Sequence, residues 1–331
     1  MTGVSNRHHK KLCCDEVNKM REAYSELMKK INAGEFVFTG ELEPEKTTDL
    51  HEVIEQARAL KGYVTACNVT DNPKSCAYTS PLAASYIVQR DSGMETVYQC
   101  TVRDRNRLAL VSDLLAAGSF GLKNVLALSG DHTTLGDNPG ALPVYDVDSL
   151  GLVYMARKMV VDGTDLVGLE IENPPKFNIA MAGNPNADPL EPEVLKCERK
   201  TLGLGDYGAD FIQTQVVFEI EKAKTWLKET EYLNTPCIIG IFPIKSYGMA
   251  KFFNTAIPGV SVPDFFMERF KKAKQIDDKK KKKERYLEIN IDYFTDFCRE
   301  IYKTTKAAGI HIMAVNYVQC TPPLVEAVLK A

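Results

Sequence analysis

Three carboxylates recur at every second position near the start of the chain: Glu41, Glu43 and Glu45 in Phe36-Val37-Phe38-Thr39-Gly40-Glu41-Leu42-Glu43-Pro44-Glu45. Acids grouped in this way mark a place where chemistry could start. The residues ahead of it, Phe36-Val37-Phe38-Thr39, are aromatic and β-branched and favour a short buried strand. Pro44 cannot continue a central ladder, and Thr47-Thr48-Asp49 opens an amphipathic helical stretch with an acidic first turn. An acid at the C-terminal end of a first strand, just before a helix, stands where a (β/α)8 barrel carries catalytic groups. The plainer reading is a solvated strand-to-helix loop.

Other chemistry-bearing residues are less organised. His8, His9, Cys13 and Cys14 crowd into seven residues, but no second cysteine pair closes a four-ligand pattern, so no metal site is assigned and the segment is read as a tail. Lys279-Lys283, five lysines in a row, read as a solvated loop or helix start. Residues 173–190, rich in Pro and Asn, read as a long loop that could close over a ligand.

The elements that must position these groups alternate. Short apolar strands are expected at Phe36–Glu41, Tyr63–Val69, Thr96–Thr101, Asn124–Leu128, Leu166–Ile171, Phe211–Phe218, Cys237–Phe242 and Gly309–Val315. Helical stretches fall at about 48–61, 80–92, 104–118, 147–161, 191–202, 219–230, 246–255 and 284–307. About eight strand–helix units argue for parallel strands covered by helices, and the fold class is α/β, a (β/α)8 TIM barrel. Residues 1–35 are expected as an N-terminal extension with an amphipathic helix, in which Val17, Met20, Tyr24, Leu27, Met28 and Ile31 recur at helical spacing; residues 36–331 form the barrel. Strand-end loops such as Thr70-Asp71-Asn72-Pro73 and Ser129-Gly130-Asp131-His132 would then converge on one face.

Composition bounds the rest. The chain of 331 residues, with 44% hydrophobic and 26% charged residues and a net charge of −3, has an ordinary soluble composition and no global attraction for nucleic acid. No apolar run long enough for a membrane span and no leader are visible, which makes a cytoplasmic enzyme the expectation. Nine cysteines without framework spacing suit a reducing compartment.

Taken in order, Gly40-Glu41-Leu42-Glu43-Pro44, Asn68-Val69-Thr70-Asp71, Gln99-Cys100-Thr101, Leu126-Ala127-Leu128-Ser129-Gly130-Asp131 and Thr214-Gln215-Val216-Val217-Phe218-Glu219 resemble the strand-end motifs of the 5,10-methylenetetrahydrofolate reductase family over about residues 36–318. The resemblance implies a barrel that holds FAD at its strand ends and passes a hydride from it to methylenetetrahydrofolate. On that resemblance Glu41 is the general acid that protonates N10 of the folate, and Asp131 is the aspartate beside the flavin ring. Thr70, Ser129, Gly130, Arg199 and Lys200 fall at cofactor-binding positions, Arg199 and Lys200 for the phosphates. Gln215 would read the pterin edge, and Tyr247 would stack on substrate or nicotinamide. Each has a plainer alternative: a turn for Ser129-Gly130-Asp131, an internal hydrogen bond for Gln215, a solvated basic pair for Arg199-Lys200.

Three positions depart from the family pattern: Ser129 and Tyr317 stand where arginines are common, and Gln99 where a histidine often stands. They bear on the electron donor, which the resemblance leaves as NAD(P)H or a partner subunit. The length is similar to the bacterial form, and the Cys-containing extension is similar to acetogen-type enzymes that work beside a subunit with zinc or iron–sulfur centres, which implies an oligomer or hetero-complex. Two rivals are a barrel of different chemistry, such as pterin-dependent methyl transfer, and a non-catalytic scaffold for an electron-transfer partner.

Overall fold

The structure is a computed structural model that describes residues 21–257 and 259–330. The strands are β1 (Val37–Leu42), β2 (Ala66–Val69), β3 (Glu95–Thr101), β4 (Asn124–Leu128), β5 (Asn178–Gly183), β6 (Phe211–Val216), β7 (Cys237–Ile241) and β8 (Gly309–Ile312). The helices are α1 (Glu26–Asn32), α2 (His51–Leu60), α3 (Pro81–Ser92), α4 (Arg107–Ser119), α5 (Ser149–Val161), α6 (Glu191–Lys200), α7 (Ile220–Glu229), α8 (Tyr247–Ala256), α9 (Asp264–Lys274), α10 (Lys279–Thr304) and α11 (Thr321–Leu329). All eight strands run parallel and close into a barrel in chain order, β8 returning to β1 with Thr39 beside His311. The expected (β/α)8 barrel is therefore the fold.

Alternation along each strand divides the interior into layers. The lowest layer is apolar: Val37, Ala66, Val97, Leu126, Ala180, Phe211 and Ile238 pack with Leu27, Met28 and Ile31 of α1, which plugs the N-terminal end. Ser25 caps this helix by accepting from Met28 N at 2.9 Å, and the Glu95 carboxylate of β3 accepts from Glu26 N and Leu27 N at 2.7 and 3.0 Å. Charge at a helix N-terminus is thus supplied by the barrel itself. Val17, Met20, His8, His9, Cys13 and Cys14 lie outside the described residues. The larger core fills the space between strands and covering helices.

One strand is not where the sequence suggested. Leu166–Ile171 is a surface turn, with Val167 78% and Leu169 67% exposed. Asp165 closes the turn by accepting from the backbone N–H groups of Val167 and Leu169, and Gly168 takes a left-handed φ of +88°. The fifth strand is Asn178–Gly183, inside the stretch read as a ligand-closing loop, so residues 173–190 are not a lid. Its Pro- and Asn-rich flanks hid a buried run whose alanines have little strand preference of their own; register against β4, Asn124 to Asn178, is what makes it a strand.

Of the two readings, loop or helix start, the lysine run Lys279–Lys283 is the helix start: it forms the first turns of α10. At 26 residues this helix is about 39 Å long. The seven described cysteines are free, and all but Cys76 are buried. Among the described residues no helix is long and apolar enough to cross a membrane, and no group of three or more His, Cys, Asp or Glu is disposed to hold a metal.

Candidate active site

Above the apolar plug the barrel interior turns polar. Thr39, Asn68, Gln99, Gln213 and His311 are all buried. Asn68 Nδ2 donates to Gln213 Oε1 at 3.2 Å; β2 and β6 do not adjoin in the sheet, so this bond crosses the lumen. Glu41 lies two residues beyond Thr39 on the same face of β1, level with Asn68 across the ladder. His311, wholly buried, sits between them, with Nδ1 2.9 Å from Thr39 Oγ1 and Nε2 3.4 Å from Glu41 Oε2. A neutral imidazole protonated at Nε2 satisfies both contacts: it accepts the threonine hydroxyl and donates toward the carboxylate. The Glu41 side chain keeps 12% of its surface open. The result is a carboxyl at the mouth backed by a buried donor.

Glu43 is itself pushed up to about 7, first by burial, then by the charges of Glu41 and Glu45, with Lys74 and Lys245 opposing. Glu45 accepts from Asn316 Nδ2 at 2.8 Å. Because Glu43 titrates higher folded than its ordinary 4.5, its contribution to stability is full below that value and is lost as pH rises through about 7. Glu43→Gln is expected to remove that slope, worth on the order of 1–2 kcal/mol after allowance for solvent screening. Urea midpoints measured on both sides of the window check this; an unchanged slope in the variant would assign the effect elsewhere.

The ends of β2, β3 and β4 are tied together. Asp71 accepts from Thr101 N and Oγ1 at 2.8 and 2.9 Å and from Arg105 Nη1 at 2.7 Å. Thr70 is buried beside it, its hydroxyl 3.5 Å from Leu42 O. Ser129 is exposed and donates to Ser149 Oγ at 3.2 Å. Gly130 has φ +81°, and a side chain there would press on Thr101 and Arg103. Asp131 is exposed, with Oδ2 accepting from Lys74 N at 2.9 Å and its carbonyl accepting from Arg103 Nη1 at 3.0 Å. Arg103 is buried and also holds Asp104, at 2.8 and 2.6 Å. The donor to Asp131 comes from a strained segment: Asn72, Lys74 and Ser75 take φ of 47°, 53° and 59°. Non-glycine residues there cost of order 1–3 kcal/mol each, a cost that clusters at functional sites.

Gln215 lies on β6 where the register with β7 shifts between Gln213 and Val216, and it is exposed among buried neighbours. Its Oε1 accepts from Val216 N at 2.9 Å, which leaves the amide NH2 for another acceptor. Tyr247 begins α8 behind the Ser246 cap, and the Lys274 ammonium stands 5.5 Å over its ring.

Glu41, Thr70, Ser129, Gly130, Asp131, Gln215 and Tyr247 thus lie at or just beyond the C-terminal ends of β1, β2, β4, β6 and β7. Arg199 and Lys200 stand apart at the end of α6, where Lys200 O accepts from Ala209 N, ahead of β6. Arg199 is exposed; Lys200 is buried, its ammonium held below the usual lysine range by burial and by Lys196. Sequence reasoning missed Thr39, His311, Asn68, Gln213 and Lys74. The signal for Thr39 was its two-residue offset from Glu41, and for His311 a lone polar residue in an apolar strand.

The methylenetetrahydrofolate reductase family model matches residues 26–328. Methylenetetrahydrofolate reductase 1 of Schizosaccharomyces pombe is 26% identical over 255 residues, 72% of this chain and 36% of that protein. The probable methylenetetrahydrofolate reductase (NADPH) of Caenorhabditis elegans is 25% identical over 240 residues, 72% of this chain and 32% of that one. The chain therefore spans about a third of the length of these curated relatives. An uncharacterized protein from Clostridium thermocellum that binds two copies of 5-methyl-5,6,7,8-tetrahydrofolic acid shares the fold, with a TM-score of 0.60 at 14% identity over 91% of this chain and 98% of that one. With a family match that runs from α1 through the barrel and into α11, the chain belongs to the methylenetetrahydrofolate reductase family.

Proposed function

We propose that this chain reduces 5,10-methylenetetrahydrofolate to 5-methyltetrahydrofolate at the C-terminal rim of its barrel, with FAD as the resident cofactor. Family membership supports the reading. The observation that carries it is Glu41 at the end of β1, open to the mouth and backed by the buried His311–Thr39 pair. The chemistry that FAD would supply when bound is hydride transfer to the one-carbon unit of the folate.

The residues of the chain do the rest. Glu41 holds the proton for N10 of the folate, whose protonation opens the bridging ring. Once Glu41 has given up that proton, the N–H of His311 Nε2 stabilises the carboxylate, while Thr39 keeps the ring in orientation. Asp131 would stand beside the flavin ring and tune it, with the Lys74 N–H and Arg103 holding its loop. Gln215 offers its remaining amide donors to the pterin edge. Tyr247 offers a face for stacking.

The residues present fit a flavin. Gly130 leaves open a strand-end turn that a Cβ would crowd, Thr70 and Ser129 bring hydroxyls to the same side, and Lys200 is a buried cation whose ammonium makes no hydrogen bond among the described residues. A diphosphate would satisfy such a cation, with Arg199 beside it. The electron donor is NADH, NADPH or a partner subunit with zinc or iron–sulfur centres.

Anaerobic titration of the FAD-loaded chain tests the reading. Methyltetrahydrofolate is expected to bleach the flavin band. Bleaching by NADH or NADPH as well would make the chain self-sufficient, and bleaching by methyltetrahydrofolate alone would point to a partner. A chain that takes up no FAD would sink the proposal.

A further inference from the structure

Each folate turnover leaves Glu41 one proton short, because the proton given to N10 departs with the product. Hydride transfer returns none, so Glu41 must be reloaded from water. Its immediate surroundings do not supply that water. His311 is wholly buried and its second nitrogen faces Thr39, so it has no contact with solvent. The Glu41 side chain keeps only 12% of its surface open, toward the mouth that substrate and flavin would fill. A proton that arrives while the site is occupied therefore needs another way in.

A side entry lies on the flank of the rim. Between the end of β1 and the start of α2 is a cleft of about 280 Å3, with polar walls and room for several water molecules. Glu45, Thr47, Asp49, His51 and Glu52 line its exposed side. Glu43, half-buried and two residues beyond Glu41, lines it from within, whereas Glu41 does not reach it. Glu43 thus stands between the cleft and the acid in the lumen. Glu45 is held by Asn316, but among the described residues the Glu43 carboxyl accepts no hydrogen bond and forms no ion pair. The groups that face it are Glu41 and Glu45 on its own segment, Lys74 and Tyr78 beyond β2, Lys245 beyond β7, and Asp49, His51 and Glu52 across the cleft. Burial and the two acids outweigh the two lysines and hold Glu43 at about 7, where a carboxyl both takes up and releases a proton near neutral pH.

We propose that Glu43 is the proton-relay residue that reloads Glu41 between turnovers through the cleft between β1 and α2; the inference rests on the reading of Glu41 as the folate acid. The step is proton transfer alone: Glu43 gives its proton to the Glu41 carboxylate and takes another from solvent in the cleft, and no electrons move. Its test follows methyltetrahydrofolate formation by the FAD-loaded protein, first in a single turnover of the dithionite-reduced enzyme, then in multiple turnovers with reduced methyl viologen as artificial electron donor. In Glu43→Gln the first turnover spends a proton already on Glu41, and later turnovers wait for a new one. The variant is therefore expected to show a burst of a single equivalent per site and then a steady phase about tenfold or more below that of the parent. Imidazole buffer, a small proton carrier at neutral pH, restores the steady phase, and Glu43→Asp, which keeps a carboxyl, retains most of it. A structural defect would instead slow burst and steady phase alike and would not respond to the buffer. Equal steady rates in parent and variant overturn the inference, and so does a loss in the first turnover that imidazole leaves uncorrected. A parent protein that forms no methyltetrahydrofolate overturns the folate reading itself.

Discussion

Glu41→Gln is expected to lower folate turnover by about 10²–10⁴-fold while leaving the flavin spectrum and its reduction by the donor intact. The amide keeps the size of the carboxyl and can still accept from His311 Nε2, now 3.4 Å from Glu41 Oε2, so the interior has no reason to rearrange. What is lost is the proton for N10. The effect should therefore appear in the folate half-reaction alone, measured by stopped-flow oxidation of the reduced enzyme. A variant that turns over within a few-fold of the parent would remove Glu41 as the acid and turn attention to Glu43, whose carboxyl is pushed up to about 7 at the same mouth.

Trp226→Ala should cost the largest share of stability of any single substitution considered, about 3–5 kcal/mol. Trp226 is wholly buried on α7, with Nε1 3.4 Å from Cys237 Sγ of β7, and its ring lies over Gly183 of β5, where a Cβ would meet it at 2.5 Å. One side chain therefore fills the joint between two strands and a helix, and its removal leaves a cavity that the surrounding strands cannot close. It is the only tryptophan in the chain, so the urea midpoint is best followed by far-ultraviolet circular dichroism. A midpoint close to that of the parent would mean that the joint can collapse. Since Trp226 is not among the candidate site residues named above, the activity of the folded fraction should be kept.

Most of the barrel was legible because its signals are local. Asn124–Leu128 is a strand by its own composition; Phe36–Glu41 is shifted by one residue at each end, and Cys237–Phe242 runs one residue long. The fifth strand was not legible. Leu166–Ile171 has the better strand residues, yet Asp165 and Gly168 fold it into a turn, while Asn178–Gly183 becomes a strand only because β4 and β6 present open edges to it. Local preference lost to pairing.

The site divides the same way. Glu41, Thr70, Asp131 and Gln215 could be named from the chain because a carboxylate, hydroxyl or amide at the end of an apolar strand in an α/β barrel faces the mouth, and that placement depends only on alternation and element order. Three features lay beyond local reading. Thr39 meets His311 across 272 residues of sequence because β8 closes on β1 in one register. The carboxyl raised to about 7 is Glu43, since desolvation depends on what packs over a group and not on its sequence neighbours. Lys74 delivers its N–H to Asp131 only through a strained loop docked on the next strand end. The chain by itself determined which residue types stand at the strand ends and hence the family; closure of the barrel decided which of them touch, because contact and burial are properties of the packed whole.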